Sequence, residues 1–313
     1  MNPLTGIYGA ASALRNSLFD RGTLAARRLQ QPVVSVGNLS VGGAGKTPFV
    51  IALGELLKAL GIRFDVLSRG YGRKTRGALV VDASGSAADF GDEPLLIARR
   101  LGVPVVVGES RYAAGQLAEA KFAPQLHILD DGFQHRSLAR DFDIVLLTDR
   151  DFEDRLLPSG RLREPLASLA RADAIVLPSE SVADHAALRR KLIWRVKREV
   201  AIPGVSDSPI VFCGIARPKQ FFAQVRAAEI RTTAEIAFRD HHRYAPRDIE
   251  RLQATRVQLG AGGFLTTEKD AINLGPLQEK LRPLAVAVLK AALAPADIVD
   301  IILDRIGISK LGS

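Results

Sequence analysis

The segment Gly37-Asn-Leu-Ser-Val-Gly-Gly-Ala-Gly-Lys-Thr-Pro48 constrains the fold of this chain more than any other. It follows a short apolar run, Val33-Val-Ser-Val36, and precedes an apolar helical stretch that starts near Phe49. Strand, glycine-rich loop and helix start, in that order, make a phosphate-binding P-loop. Gly42, Gly43 and Gly45 keep the loop small. Backbone N–H groups of Gly43, Ala44, Gly45 and Lys46 can wrap a polyphosphate, and the helix dipole favours its charge. Lys46 can reach the β- and γ-phosphates, and the Thr47 hydroxyl can ligate Mg²⁺. The usual pattern opens with Gly, whereas Ser40 holds that place here. A glycine-rich turn that only capped a helix would not require Lys-Thr after its last glycine.

Around this loop, apolar runs alternate with helix-like segments. Strands are predicted at Val33–Val36, Phe64–Ser68, Val105–Val107, Leu126–Asp130, Ile144–Leu147 and Ala174–Leu177. Helices are predicted from Pro48 to about Leu60, from Glu93 to Leu101 and from Arg111 to about Ala120. This alternation predicts an α/β fold of the P-loop NTPase type, a parallel sheet with helices on both faces. Val200–Pro209 reads as a turn-rich connection, followed by a new strand from Ile210. The boundary is therefore set near Ser206, with a kinase-like domain over 1–205 and a smaller C-terminal α/β domain over 206–313. The second domain carries strands near Ile236–Phe238, Gly263–Thr266 and Ala285–Leu289.

Leu126-His-Ile-Leu-Asp-Asp-Gly-Phe-Gln-His135 is an apolar strand running into acid, as in a Walker B element. Either Asp130 or Asp131 can meet Mg²⁺ or its water shell. Gly91-Asp-Glu-Pro94 opens a helix; its acids offset the helix dipole, or Asp92 serves as a general base toward an alcohol. Phe238-Arg-Asp-His-His-Arg-Tyr244 pairs two histidines, but no Cys and no His-Glu-x-x-His helix accompanies them as zinc would require. A His that pairs with a carboxylate across a domain cleft fits better. Ser68-Arg-Gly-Tyr-Gly-Arg-Lys74 and Gly160-Arg-Leu-Arg-Glu-Pro165 are compact basic loops that can bind phosphate through Arg, or stand as solvated turns.

A net charge of +9 favours anionic partners: nucleotide, nucleic acid, phosphorylated lipid or an anionic membrane. Aromatics are only 6%, with no Arg/aromatic stacking tract, which argues against nucleic acid. The single Cys213 excludes an internal disulfide and suits a reducing compartment. No apolar run approaches the ~20 residues of a transmembrane helix, and the N-terminus lacks the apolar block of a secretory signal. Leu4, Ile7, Tyr8, Ala11, Leu14 and Leu18 recur at helical spacing, with Arg21, Arg27 and Arg28 after them. Such a helix docks on the protein body or lies on an anionic membrane.

Taken in order, these segments resemble the tetraacyldisaccharide 4'-kinase family of Gram-negative bacteria. The resemblance runs through Val36–Pro48, Ser68–Gly72, Gly91–Pro94, Asp130–His135, Gly160–Pro165, Asp240-His-His-x-Tyr244 and Thr266-Thr-Glu-Lys-Asp-Ala271. It covers roughly residues 1 to 275, and Ser40 is usual within that family. The resemblance implies transfer of the γ-phosphate of ATP to the 4'-hydroxyl of a tetraacylated glucosamine disaccharide 1-phosphate, giving lipid IVA. It implies a peripheral monomer at the cytoplasmic face of the inner membrane, with nucleotide bound between two α/β domains and no nucleic-acid partner. It also implies residue roles. Asp92 matches the catalytic aspartate, and His241, or His242 beside it, its partner. Gly42, Gly43, Ala44, Gly45, Lys46 and Thr47 match the nucleotide loop, with Lys46 also catalytic. Thr47, Glu93, Asp130 and Asp131 match the metal surroundings. Arg69, Tyr71, Arg111, Gln134, His135 and Arg163 match the substrate positions.

Two other classes compete. A P-loop GTPase or metallochaperone needs a guanine motif of the Asn-Lys-x-Asp kind, which Thr267-Glu-Lys-Asp270 approaches only superficially. A nucleic-acid-dependent ATPase has only the basic charge in its favour.

Overall fold

A computed structural model describes residues 3–309. Its strands are β1 (Val33–Asn38), β2 (Phe64–Ser68), β3 (Leu79–Val80), β4 (Val105–Val107), β5 (Leu126–Asp130) and β6 (Phe142–Leu146). They continue with β7 (Ala174–Pro178), β8 (Leu192–Ala201), β9 (Ile210–Cys213), β10 (Ala234–Ala237), β11 (Phe264–Thr267) and β12 (Leu284–Ala294). The helices are α1 (Pro3–Asp20), α2 (Lys46–Ala59), α3 (Ala87–Phe90), α4 (Asp92–Leu101) and α5 (Arg111–Phe122). The later ones are α6 (Pro218–Ala227), α7 (Pro246–Leu259), α8 (Glu268–Leu274) and α9 (Ile298–Ile306). Strand order is β10-β9-β11-β12-β8-β7-β6-β1-β5-β2-β4-β3. Neighbours are parallel except at β3–β4 and β12–β8. The result is the mixed, mostly parallel α/β sheet that the alternation predicts.

Both faces of the sheet are covered, and the strand period decides which residue goes where. Along β1, Val34 and Val36 join a core with Phe49 and Leu53 of α2, Leu95 of α4 and Ile302 of α9. Val33 points to the other face, with Ala114 and Ala118 of α5. Each aliphatic side chain buried this way contributes about 1.5–3 kcal/mol. In the second half of the chain, Phe212 and Phe264 pack with α7, while Val211 and Leu265 pack with α6.

Two segments differ from expectation. β8 is a ten-residue strand that runs through Ala201, into the predicted connection. Its charged residues, Arg195, Lys197, Arg198 and Glu199, hide its pattern, because only Trp194 and Val196 are fully buried. β12 likewise extends to Ala294 and pairs antiparallel with β8, from Val288↔Ala201 to Ala294↔Arg195. This long ribbon makes one sheet of the two halves. Helix α9 then packs Ile298, Val299 and Ile302 into the core that also holds Trp194 and Phe142. Trp194 is 1% exposed and stacks on Phe142 at 5.9 Å. Trp194→Ala should lower unfolding free energy by about 3–5 kcal/mol, read as a lower urea midpoint. A midpoint close to that of the parent protein would mean the ribbon's root carries little stability.

Candidate active site

The P-loop follows β1 at the centre of the sheet, and Gly45 caps α2 with φ +82. That left-handed conformation suits glycine. The cap leaves the first N–H groups of α2 without intrahelical partners, as anion binding needs. β5 pairs directly with β1, Val36 opposite Asp130, so the acid pair emerges beside the loop. A close approach at Gly37 makes this possible: a Cβ there would lie 2.6 Å from Cβ of Phe133.

Lys46 does not lie free. Its Nζ donates to Asn38 Oδ1 at 2.9 Å and pairs with Asp131 at 3.2 Å. Arg163 holds both Asp131 oxygens at 3.1 Å and donates to Asn38 Oδ1 at 2.6 Å. Gln134 donates to the Asn38 carbonyl at 3.0 Å. Burial pushes the Asp131 carboxyl up, but Lys46 and Arg163 outweigh it and hold it at about 2. Asp130 behaves oppositely. Burial, Glu93 and Asp131 push it up to about 7, although Ser68 donates to its Oδ2 at 3.1 Å. Its Oδ1 is buried with no hydrogen-bond partner.

Asp92 opens α4 and is 5% exposed. Its Oδ2 meets His241 Nδ1 at 2.7 Å and accepts from Asn273 Nδ2 at 3.1 Å. Burial pulls its pKa up, but His241, Lys269 and Asn273 bring it down to about 2. The hydrogen bond to Asp92 raises the His241 pKa against the effect of burial. Tyr71 lies beside the imidazole at 5.5 Å between ring centroids. His242 turns away. It pairs with Asp248 at 3.0 Å and stacks on Phe238 at 4.7 Å, so the structure separates the two histidines that sequence left open. His241 and Asp131 both take positive φ, +53 and +51, a backbone strain that gathers at functional sites.

Asp92 comes from the first half of the chain and His241 from the second, and both line a cavity of about 340 Å³. Tyr71, Arg239, Arg243 and Asn273 also line it. Glu93 pairs with Lys269 of α8, beside Asp92.

Arg69 and Arg111 form a separate cationic pair, with His135 beside them. Arg111 is buried at the start of α5, with its Nε unpartnered, and burial and Arg69 lower its pKa to about 10. Burial, then Arg111, Arg140, Arg15 and Arg69, depress His135 to about 4. Such a group suits an anion.

Among the described residues no group of three His, Cys, Asp or Glu side chains is poised to hold a metal by itself. Magnesium bound with a nucleotide takes one or two carboxylates, with phosphate oxygens and water completing its shell. The orphan oxygen of Asp130, close to Glu93 and Asp131, fits such a cation. Thr47, the hydroxyl of the loop, is 3% exposed.

Sequence reasoning missed Asn38, Ser68, Lys269 and Asn273. Each acts on a motif residue from another element, and only the fold reveals that proximity. Asn38, Ser68 and Lys269 sat in segments already noticed, Gly37–Pro48, Ser68–Lys74 and Thr266–Ala271, whereas Asn273 lay outside all of them.

A P-loop beside an acid pair, together with a buried carboxylate held by a half-buried histidine, defines a phosphotransferase that acts on a hydroxyl. The family described as Tetraacyldisaccharide-1-P 4'-kinase matches residues 1–307. The tetraacyldisaccharide 4'-kinase of Koribacter versatilis is 48% identical over 307 residues, covering 95% of each chain. That of Aquifex aeolicus is 40% identical over 289 residues, covering 87% of this chain and 88% of its own. A crystal structure of LpxK from Aquifex aeolicus, in complex with ATP, superposes with a TM-score of 0.81 at 36% identity, covering 97% of both chains. The chain belongs to the tetraacyldisaccharide 4'-kinase family.

The His241 contribution to stability is complete below about 6.5 and fades as pH rises through its raised folded value. The Asp92 contribution is present above 3.8 and fades as pH falls toward about 2. The pair is therefore strongest between these limits. In an NMR titration of the imidazoles, His241 should titrate above its ordinary range, and Asp92→Asn should return it toward 6.5. His135 should stay neutral down to about 4. An unmoved His241 in the Asp92→Asn protein would break the assigned pair.

Proposed function

We propose that this chain transfers the γ-phosphate of ATP to the 4'-hydroxyl of tetraacyldisaccharide 1-phosphate, giving lipid IVA, with Asp92 as general base. The Asp92–His241 pair at 2.7 Å carries this reading, with Glu93 next to Asp92 interacting electrostatically with Lys46 and Asp130. Asp92 accepts the hydroxyl proton as the acceptor oxygen bonds to the γ-phosphorus. The bond from that phosphorus to the leaving oxygen breaks, and ADP departs. His241 donates from Nδ1 to Asp92 Oδ2 and Asn273 donates to the same oxygen, while Oδ1 accepts the Glu93 N–H at 2.9 Å and keeps a lone pair for the hydroxyl proton. A carboxylate held near 2 is a weak base in the resting cleft. Because transfer and proton loss occur together, position counts more than basicity.

Gly42, Gly43, Ala44 and Gly45 cradle the phosphates, and Lys46 follows the γ-phosphate, leaving Asp131 and Asn38. Thr47, Asp130, Asp131 and Glu93 are the residues that would hold Mg²⁺, which neutralises phosphate charge when bound. Arg69, Tyr71, Arg111, Gln134, His135 and Arg163 bind the acceptor headgroup. Residues 1–205, with α9 packed into their core, and the part of 206–313 that carries α6, α7 and α8 act as two lobes. His241 arrives from the second, so closure completes the site.

The chain works as a monomer on the cytoplasmic face of the inner membrane. No described helix is long and apolar enough to span a membrane. Helix α1 supports peripheral contact. Tyr8 donates to the Arg163 carbonyl at 3.0 Å and Asn16 to Glu164 at 2.6 Å, which docks one face on the active-site loops. Ile7 and Leu14 are 66% and 63% exposed on another. With a net charge of +9, this face suits an anionic bilayer that holds the acyl chains.

Asp92→Ala should cut labelled phosphate transfer to the lipid by about 10²–10⁴-fold while ATP still binds. Transfer at the parent rate would remove the base assignment. Ile7→Glu with Leu14→Glu should release the protein from anionic vesicles and leave transfer to detergent-dispersed lipid intact. Retention on the vesicles would place the contact elsewhere.

A further inference from the structure

Arg198 lies in none of the motifs, yet it reaches the P-loop. It stands on β8 opposite Ala291 of β12, in the ribbon that joins the two halves of the sheet. Its Nη2 donates to the Ala44 carbonyl at 2.6 Å. The guanidinium packs so closely on Gly45 that a Cβ there would fall 2.5 Å from Arg198 Cζ. Glycine at 45 is required by its φ of +82, and any Cβ there would also displace the guanidinium. The Nε of Arg198 is buried and lacks a hydrogen-bond partner. Burial and Arg217 disfavour the charge, with Glu180 the acidic counterweight.

A P-loop turns N–H groups inward to phosphate, so its carbonyls turn outward and need donors. The Ala44 carbonyl and the Gly45 N–H belong to one peptide unit. A cationic donor on the carbonyl polarises that unit and makes its N–H a stronger donor. We propose that Arg198 is a positioning residue for the nucleotide, orienting and polarising the Ala44–Gly45 peptide whose N–H cradles the phosphates. This rests on the reading of the P-loop as the ATP site. Arg198 acts through the cradle and not on the γ-phosphate itself, so ATP and ADP depend on it alike.

The test uses the full chain with Arg198→Met, which keeps length and apolar packing but removes the donor, and Arg198→Lys, which restores a cationic donor. ATP and ADP affinities with Mg²⁺, the KM for each substrate and thermal melting are measured together. Arg198→Met should weaken ATP and ADP equally, by about tenfold, and leave the KM for lipid unchanged. Arg198→Lys should recover much of the loss. A lower melting temperature with unchanged affinities would make Arg198 only structural and overturn the proposal. A loss confined to ATP would mean direct γ-phosphate contact and overturn it equally. If the parent protein binds neither nucleotide, the ATP reading fails first. If parent and Arg198→Met bind both alike, that reading stands and the role of Arg198 falls.

Discussion

The parallel pairing of β1 with β5, Val36 against Asp130, is the constraint on which the rest of the site depends. It sets the ends of two adjacent strands side by side, one continuing into the P-loop and the other into the acid pair. Side chains on both strands must then alternate between two covered faces, which explains the valine, isoleucine and leucine content of the strands. The close approach of Phe133 to Gly37 follows from the same pairing, since the acid loop folds back over the strand it borders. A larger residue at 37 would push apart the elements that carry Lys46 and Asp131.

A second dependence crosses the molecule. Asp92 sits at the first turn of α4, while His241, Asn273 and Lys269 belong to the second half of the chain. The Asp240–Tyr244 segment that delivers His241 is itself anchored. Asp270 accepts from Tyr244 at 2.8 Å and from the Gly214 N–H at 2.7 Å, and His242 is held by Asp248. The two adjacent histidines thus divide their work. One fixes the loop and the other meets the carboxylate, and the left-handed backbone at His241 separates their directions.

What sequence made legible follows from what sequence encodes. The P-loop, β5 with its acids and the α4 start are local patterns, with each strand or helix carrying its own signal. The fold class followed from their alternation. β8 was not legible, because a ribbon between two halves is solvated along much of its length and shows no continuous apolar face. Asn38 and Asn273 were not legible for a different reason. A lone amide carries no pattern, and it acquires meaning only when the fold brings it to Lys46 or Asp92. His241 and His242 were indistinguishable until the backbone turn between them was known.

The charges of the site explain its resting state. Asp130 and Asp131 are neighbours in sequence, yet their pKa values lie near 7 and near 2. The division has a physical cause. Asp131 faces Lys46 and Arg163, whereas Asp130 is buried beside Glu93 and Asp131 with one oxygen unpartnered. Two carboxylates pushed apart in this way are a mark of a site that awaits another charge. On the proposed reading, drawing Lys46 onto a phosphate would remove one cation from Asp131, and a cation beside Asp130 would supply what its orphan oxygen lacks. The two adjustments would be complementary, nucleotide and cation each reducing the electrostatic cost of the other. The resting network of Lys46, Asn38, Asp131 and Arg163 holds the loop in order until that exchange.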